Sequence, residues 1–278
     1  MLRTNGIEDR SEEEGFALLA VLGFMLLLAM FLMPFAASSR VRALTASYDF
    51  EHARIEHTAR AINDYLAWRL SGDARWQESV EGGNVTSSTC AIRSARVAVS
   101  IIPHSRLINL NTAEEPLLKS GLHDLGIDDY QTDEITGQIL RFRSPTGDAG
   151  EADPEGVEEG YKHAPFEHLA ELHDFEQLQT ISMEDAGTVF SVQSGRAILT
   201  REMSDFGPSQ HFTITTKIRQ AGATGGDAAV YLNGGTARGP QRVSILEVDP
   251  DLPPSDSSGE CTLILESDLL RLLEEVLT

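Results

Sequence analysis

The sequence predicts an α+β protein: a long N-terminal transmembrane helix that continues as the spine of an α/β domain, with a helix-rich stretch in the middle of the chain. Three observations predict this. An uncharged apolar block stands near the N-terminus, a stripe of apolar residues at helical spacing follows it, and β-branched runs flank a helix-rich middle.

The apolar block covers residues 16–37, which is 22 residues without a charge. As a helix rising about 1.5 Å per residue it spans about 33 Å, enough for a bilayer core. It follows a polar run ending in Gly15, in which Arg3 and Arg10 stand against Glu8, Asp9, Glu12, Glu13 and Glu14. With Arg40 and Arg42 just beyond the block, the charge rule alone favours the orientation that keeps the C-terminal part inside. A removable signal peptide would show a shorter apolar core before a small-residue cleavage site, for which Ala36, Ala37 and Ser38 are the candidates.

Beyond the block, Val41, Leu44, Tyr48, Ile55, Ile62, Tyr65 and Leu66 recur mostly three, four or seven apart, one face of a helix. No Gly or Pro intervenes between Phe35 and Leu70, so the helix is expected to run on to Ser71–Gly72, with a bend at Pro34. The stripe reads as a spine packed against its own domain, with a separate coiled-coil partner as the alternative. After a Gly/Ser-rich turn, residues 90–102 are rich in β-branched side chains and read as one strand.

The chain holds 43 acidic and 22 basic residues, a net charge of −21. A field of that sign repels phosphate backbones and disfavours nucleic-acid binding. Cys90 and Cys261 each open an apolar run, and form either a disulfide in an oxidising compartment or two buried thiols.

A polar run ending in Gly, followed at once by an apolar membrane segment, resembles the prepilin-type leader of pilins and pseudopilins. The resemblance implies cleavage between Gly15 and Phe16 by a prepilin peptidase, methylation of the new Phe16 amine, and retention of the segment as anchor. Major subunits of such families carry Glu as fifth mature residue, whereas this chain has Ala20. Minor pseudopilin K of the type II secretion system characteristically lacks that Glu. A carboxylate buried in a membrane needs a partner, and a topmost subunit has no neighbour above it to provide one.

A second stretch carries the same resemblance. Asn109, Leu110, Asn111, Thr112 and Ala113 match the Asn-x-Asn-Thr-Ala motif that opens the helical insertion of that family. Asn and Thr side chains bond nearby amides and are expected to cap a helix starting near Ala113, with Glu114 and Glu115 favoured in its first turn. The same motif opens helix-hairpin-helix DNA-binding modules, whose Gly-rich hairpin holds a phosphate. Here Gly126 lies among Asp124, Asp128 and Asp129, which would repel one. Helices are expected over 113–120 and 132–142. Pro165, Phe166, Glu171 and Leu172 match a Pro-Phe-x-x-x-x-Glu-Leu segment of the family insertion, and 188–194 resembles the strand returning to the sheet.

Strands follow over 211–219, 229–233 and 242–248, with the Gly-rich 221–227 as a hairpin loop. Residues 253–259 read as a loop, 261–266 as a strand, and Ser267 as the cap of an amphipathic helix through Leu269, Leu270, Leu273 and Val276.

His163, His168 and His173 recur every five residues, which does not stack two imidazoles on a helical face, so they read as surface or hydrogen-bonded structural histidines. No HExxH, GxSxG, P-loop or CxxC arrangement occurs, and no catalytic residue or enzymatic activity is predicted. The acidic loop offers Asp148, Glu151, Asp153 and Glu155 as hard oxygen ligands for calcium, against the plainer reading of a solvated acidic loop. Calcium occurs in the family, so the resemblance favours testing it. No other cofactor is implied.

The resemblance implies a leader over 1–15, a transmembrane segment over 16–37 and a pilin-like domain over 38–112 and 191–278. The last part ends in a helix, and the inserted helical domain, SAM-like or helix-hairpin-helix-like, falls over 113–190. It implies a single-pass inner-membrane protein with its C-terminal domain in the periplasm. Implied partners are the other minor pseudopilins of a pseudopilus tip, the prepilin peptidase and the inner-membrane secretion platform. Two alternatives remain: a minor subunit of a type IV pilus, and a membrane-anchored helix-hairpin-helix DNA receptor.

Overall fold

The computed structural model describes residues 9–83, 86–144, 162–198, 209–234, 239–248, 262 and 264–277. By its contacts the chain divides into two units, Met1–Ala53 and Arg54–Thr278. Helix α1 (Asp9–Gly72) contributes to both and ends where the Ser71–Gly72 stop was expected.

In the first unit α1 is long and apolar enough to cross a membrane, and its large apolar side chains from Leu18 to Phe35 lie exposed. Val41, Leu44 and Tyr48 are exposed as well, which corrects the expectation that the whole stripe packs on its own domain. Helical spacing defines a face but not what covers it.

In the second unit the stripe becomes core. Ile55, Ala59, Ile62, Leu66 and Leu70 are each at most 2% exposed. Burying each of the four large side chains contributes about 1.5–3 kcal/mol. They pack on a five-stranded antiparallel sheet whose strands lie in the order β1 (Ser87–Ile92), β2 (Ala95–Pro103), β5 (His211–Gln220), β6 (Ala223–Asn233) and β7 (Pro240–Leu246). A short helix α2 (Ala74–Glu81) follows α1, capped by Asp73, whose carboxylate accepts from the Arg75 and Trp76 amides. Trp76 and Val80 join the same core, and the Arg69 guanidinium lies 4.4 Å from the Trp76 ring centre.

The run expected as one strand is a hairpin, β1 (Ser87–Ile92) and β2 (Ala95–Pro103). Arg93 turns it at φ 51°, a left-handed conformation with no glycine to announce it. Strands β5 (His211–Gln220), β6 (Ala223–Asn233) and β7 (Pro240–Leu246) complete the sheet. The expected Gly-rich loop shrinks to Ala221 and Gly222, at φ 49° and 86°, as a two-residue hairpin turn requires. Gly225 and Gly226 sit inside β6 because neighbours come close there: a Cβ on Gly225 would lie 3.0 Å from Ile55 Cγ2 of α1, and one on Gly226 2.8 Å from the Thr216 carbonyl oxygen of the adjacent strand.

Between β2 and β5 the chain leaves this sheet and builds a second core. Its elements are β3 (Ile108–Asn109), α3 (Glu115–Asp124), α4 (Asp129–Arg143), 3-10 turns at Leu169–Asp174 and Glu176–Leu178, α5 (Met183–Val189) and β4 (Phe190–Ser191). Leu117, Leu118, Leu122, Ile135, Ile139, Phe142, Phe166 and Phe190 are among its buried side chains. Phe142 stacks on Phe166 with centroids 4.5 Å apart and meets Phe175 edge-on at 5.6 Å. The returning strand pairs in parallel with β3 in its own two-stranded sheet and does not enter the main one.

At the C-terminus no strand forms among the described residues of 261–266. Ile264 and Leu265 are buried instead in an irregular segment. Helix α6 (Ser267–Val276) then lays Leu273 into the main core, with Leu269 and Leu270 against it. Its N-cap is Glu266, without a capping side-chain bond, so Ser267 is the first helical residue and not the cap.

Candidate functional site

The features that bear on function are the N-terminal segment, the Asn motif and the helical hairpin behind it. Gly15 and Phe16 fall inside α1, and the apolar segment after them forms one uninterrupted helical stretch.

The Asn motif acts differently from the helix cap expected of it. Helix α3 begins two residues later than expected, with Glu114 as an N-cap that makes no side-chain cap bond. Asn109 Oδ1 accepts from the Asn111 amide at 2.9 Å and closes a local turn. Asn111 reaches across the fold: its Oδ1 accepts from the Phe166 amide at 2.7 Å, and its Nδ2 donates to the carbonyls of Phe166 at 3.0 Å and Val192 at 3.3 Å. Arg143 donates to the carbonyls of Leu110 and Ala113. The motif is therefore a hub joining the outgoing chain, the Pro165–Phe166 segment and the returning chain. In that segment Phe166 and Leu172 are buried, and Glu171 accepts from the Glu167 and His168 amides and pairs with Lys162 at 3.1 Å.

Helices α3 and α4 flank a true hairpin turned by Gly126 at φ 82°. Its amides are already occupied. Gly126 N donates to the His123 carbonyl at 2.8 Å and Ile127 N to the Leu122 carbonyl at 3.1 Å. Asp128 Oδ1 accepts from Gln131 N at 2.9 Å, so a carboxylate occupies the helix end that a phosphate would need.

A buried polar chain escaped the sequence reading. His104 is 3% exposed in the 3-10 turn His104–Arg106, just after β2. Its Nδ1 meets Ser191 Oγ at 2.7 Å and its Nε2 meets Thr213 Oγ1 at 2.8 Å. Burial pushes its pKa down to about 3, with His211 adding to the effect, so it is neutral at physiological pH. A serine beside a histidine suggests a nucleophile, but both are buried, and each ring nitrogen faces a hydroxyl where a triad would place a carboxylate on one side. Nothing in the sequence around His104 marks it, because its partners lie 87 and 109 residues away.

Of the three spaced histidines, His163 faces the Ser144 carbonyl, His168 caps the turn at Leu169, and His173 faces the Ile181 carbonyl at 2.8 Å. Among the described residues no group of three or more His, Cys, Asp or Glu side chains is placed to hold a metal. Asp148, Glu151, Asp153 and Glu155 lie outside the described residues. Cys90 is disulfide-bonded, while Cys261 lies outside the described residues.

Fold and site define an α+β protein with one N-terminal helix long and apolar enough to cross a membrane, and with a helical core built between two strands of its sheet. Among solved structures, the chain is similar to the GspK-GspI-GspJ complex from the enterotoxigenic Escherichia coli type 2 secretion system. The TM-score is 0.44 at 10% identity, over 76% of this chain and 99% of that chain. No family model matches the chain. No curated protein matches it either.

Proposed function

We propose that this chain is a minor pseudopilin of the type II secretion system, of the protein K kind. It caps the tip of the periplasmic pseudopilus, helps initiate its assembly, and so serves the export of folded proteins. Residues 16–37 anchor it in the inner membrane, the C-terminal domain lies in the periplasm, and its role is assembly and not catalysis. Its partners are the other minor pseudopilins of the tip, the prepilin peptidase that processes it and the inner-membrane secretion platform.

One observation carries the reading: helix α1 contains an apolar segment directly after Gly15 and contributes, from Ile55 onward, to the core of an antiparallel sheet interrupted by a helical core. Ala20 supports the tip position, since it removes the carboxylate that would need a neighbour above. The helical hairpin would favour the DNA-receptor reading, but its occupied amides, Asp128 and the net charge of −21 argue for a structural use.

The test is the N-terminal mass of the membrane-extracted protein from cells with and without active prepilin peptidase. Peptidase-dependent N-methylated Phe16 is the expected result. An intact Met1, or a start near Ser38, would overturn the reading.

A further inference from the structure

The imidazole of His104 stands where the two cores meet, one ring nitrogen on each sheet. Ser191 belongs to β4, which pairs with β3 and bounds the helical core, and Thr213 belongs to β5 in the middle of the main sheet. The hydrogen-bond pattern determines the tautomer. Ser191 Oγ already accepts from the Gln193 and Ser194 amides at 3.1 and 3.3 Å, so its own hydrogen is free to donate to His104 Nδ1. Nδ1 is then the bare nitrogen, and Nε2–H donates to Thr213 Oγ1.

We infer that His104 is an acid-releasable clasp that holds the helical segment to the main sheet, closed while its Nδ1 accepts from Ser191 and opened when a proton occupies that nitrogen. Protonation sets two donors face to face across 2.7 Å and leaves a cation in a site 3% exposed. Opening the seam restores water to the ring, so proton uptake and opening are linked. The groups on the surrounding elements are already engaged. Lys217 of β5 pairs with Glu184 of α5 at 2.7 Å, Glu81 of α2 accepts from the Ser209 amide at 2.8 Å, and Arg106 donates to the Glu81 carbonyl. His211 is the titratable neighbour, its ring centre 6.0 Å from that of His104, and its charging would add to the repulsion.

The sign follows from the depressed value. A histidine that is neutral when folded contributes stability above its ordinary pKa of 6.5, and that contribution is lost as pH falls from there toward about 3. The clasp is independent of the secretion reading and stands or fails separately from it.

Hydrogen exchange of the full chain in detergent between pH 7.5 and 4 tests it. Corrected for intrinsic rates, the opening constant of peptides over 108–144 and 183–192 should rise by about tenfold per pH unit below 6.5, while 212–220 and 228–231 stay protected. His104→Asn should abolish that pH dependence, and His211→Asn should keep it. Ser191→Ala supplies a second arm, lowering protection of 108–144 already at pH 7.5. Protection that does not change with pH, that is lost together with the sheet, or that retains its acid sensitivity in His104→Asn would overturn the clasp, as would unchanged protection in Ser191→Ala.

Discussion

Asn63, fully buried on α1, bonds to two strands at once. Its Nδ2 donates to the Asp227 carbonyl and carboxylate at 2.8 and 2.7 Å, and its Oδ1 accepts from Thr216 Oγ1 at 2.7 Å. Arg242 pairs with the same carboxylate, and next to it Tyr231 donates to Asp64 at 2.7 Å. A single amide thereby sets the register of the helix on the sheet. Removing it leaves a buried hydroxyl and half a carboxylate without a partner, each worth about 1–3 kcal/mol. Asn63→Ala should therefore lower unfolding stability by about 2–3 kcal/mol in denaturant titration. Asn63 reads in the sequence as one polar residue next to an apolar stripe, and its partners, 153 and 164 residues away, give it its role.

At the scale of elements, glycines separate close packing from mere tolerance. Gly121 lies in α3 where a Cβ would stand 2.6 Å from Ile108 Cδ1 and 2.7 Å from Phe190, whereas Gly137 in α4 has nothing within 4 Å. Gly121→Ala should destabilise by about 1–3 kcal/mol through overpacking. Gly137→Ala should stabilise by about 0.5–1 kcal/mol through helix propensity. Thermal melts of the two variants should move in opposite directions. Inside β6 the Cβ of a Gly226→Ala variant would meet the Thr216 carbonyl oxygen at 2.8 Å, and the same loss is expected there. The element errors share a cause. Glycines at 225 and 226 signal a loop by composition, yet helix and neighbouring strand demand them within a strand, and Arg93 turns a hairpin with no turn residue to announce it.

For the whole molecule, charge and covalent closure yield the testable statements. With a net charge of −21 and the hairpin amides occupied, the chain should show no DNA binding at physiological salt in a gel-shift or anisotropy titration. We propose Cys261 as the disulfide partner of Cys90, in β1 of the sheet that α6 packs against. A non-reduced intact mass lower by two hydrogens should be observed, and reduction should cost about 2–4 kcal/mol of stability, read as a lower melting temperature. Two unlinked thiols in the non-reduced protein would refute the pairing.

The apolar membrane-length segment, the end of α1, strands β5 and β7, the second half of β6 and the amphipathic C-terminal helix were legible in the sequence because each depends on a local period: an uncharged run, a 3.6-residue stripe, or β-branched alternation. The Asn-x-Asn-Thr-Ala motif was legible as a junction but not as a hub, since a side-chain amide bonds equally well to the next turn or to a segment 55 residues away. Tertiary structure alone decided which half of the stripe is buried, where the returning strand pairs, and that His104 joins two sheets as a neutral base. Those outcomes rest on contacts between residues far apart in sequence, and no local period encodes them.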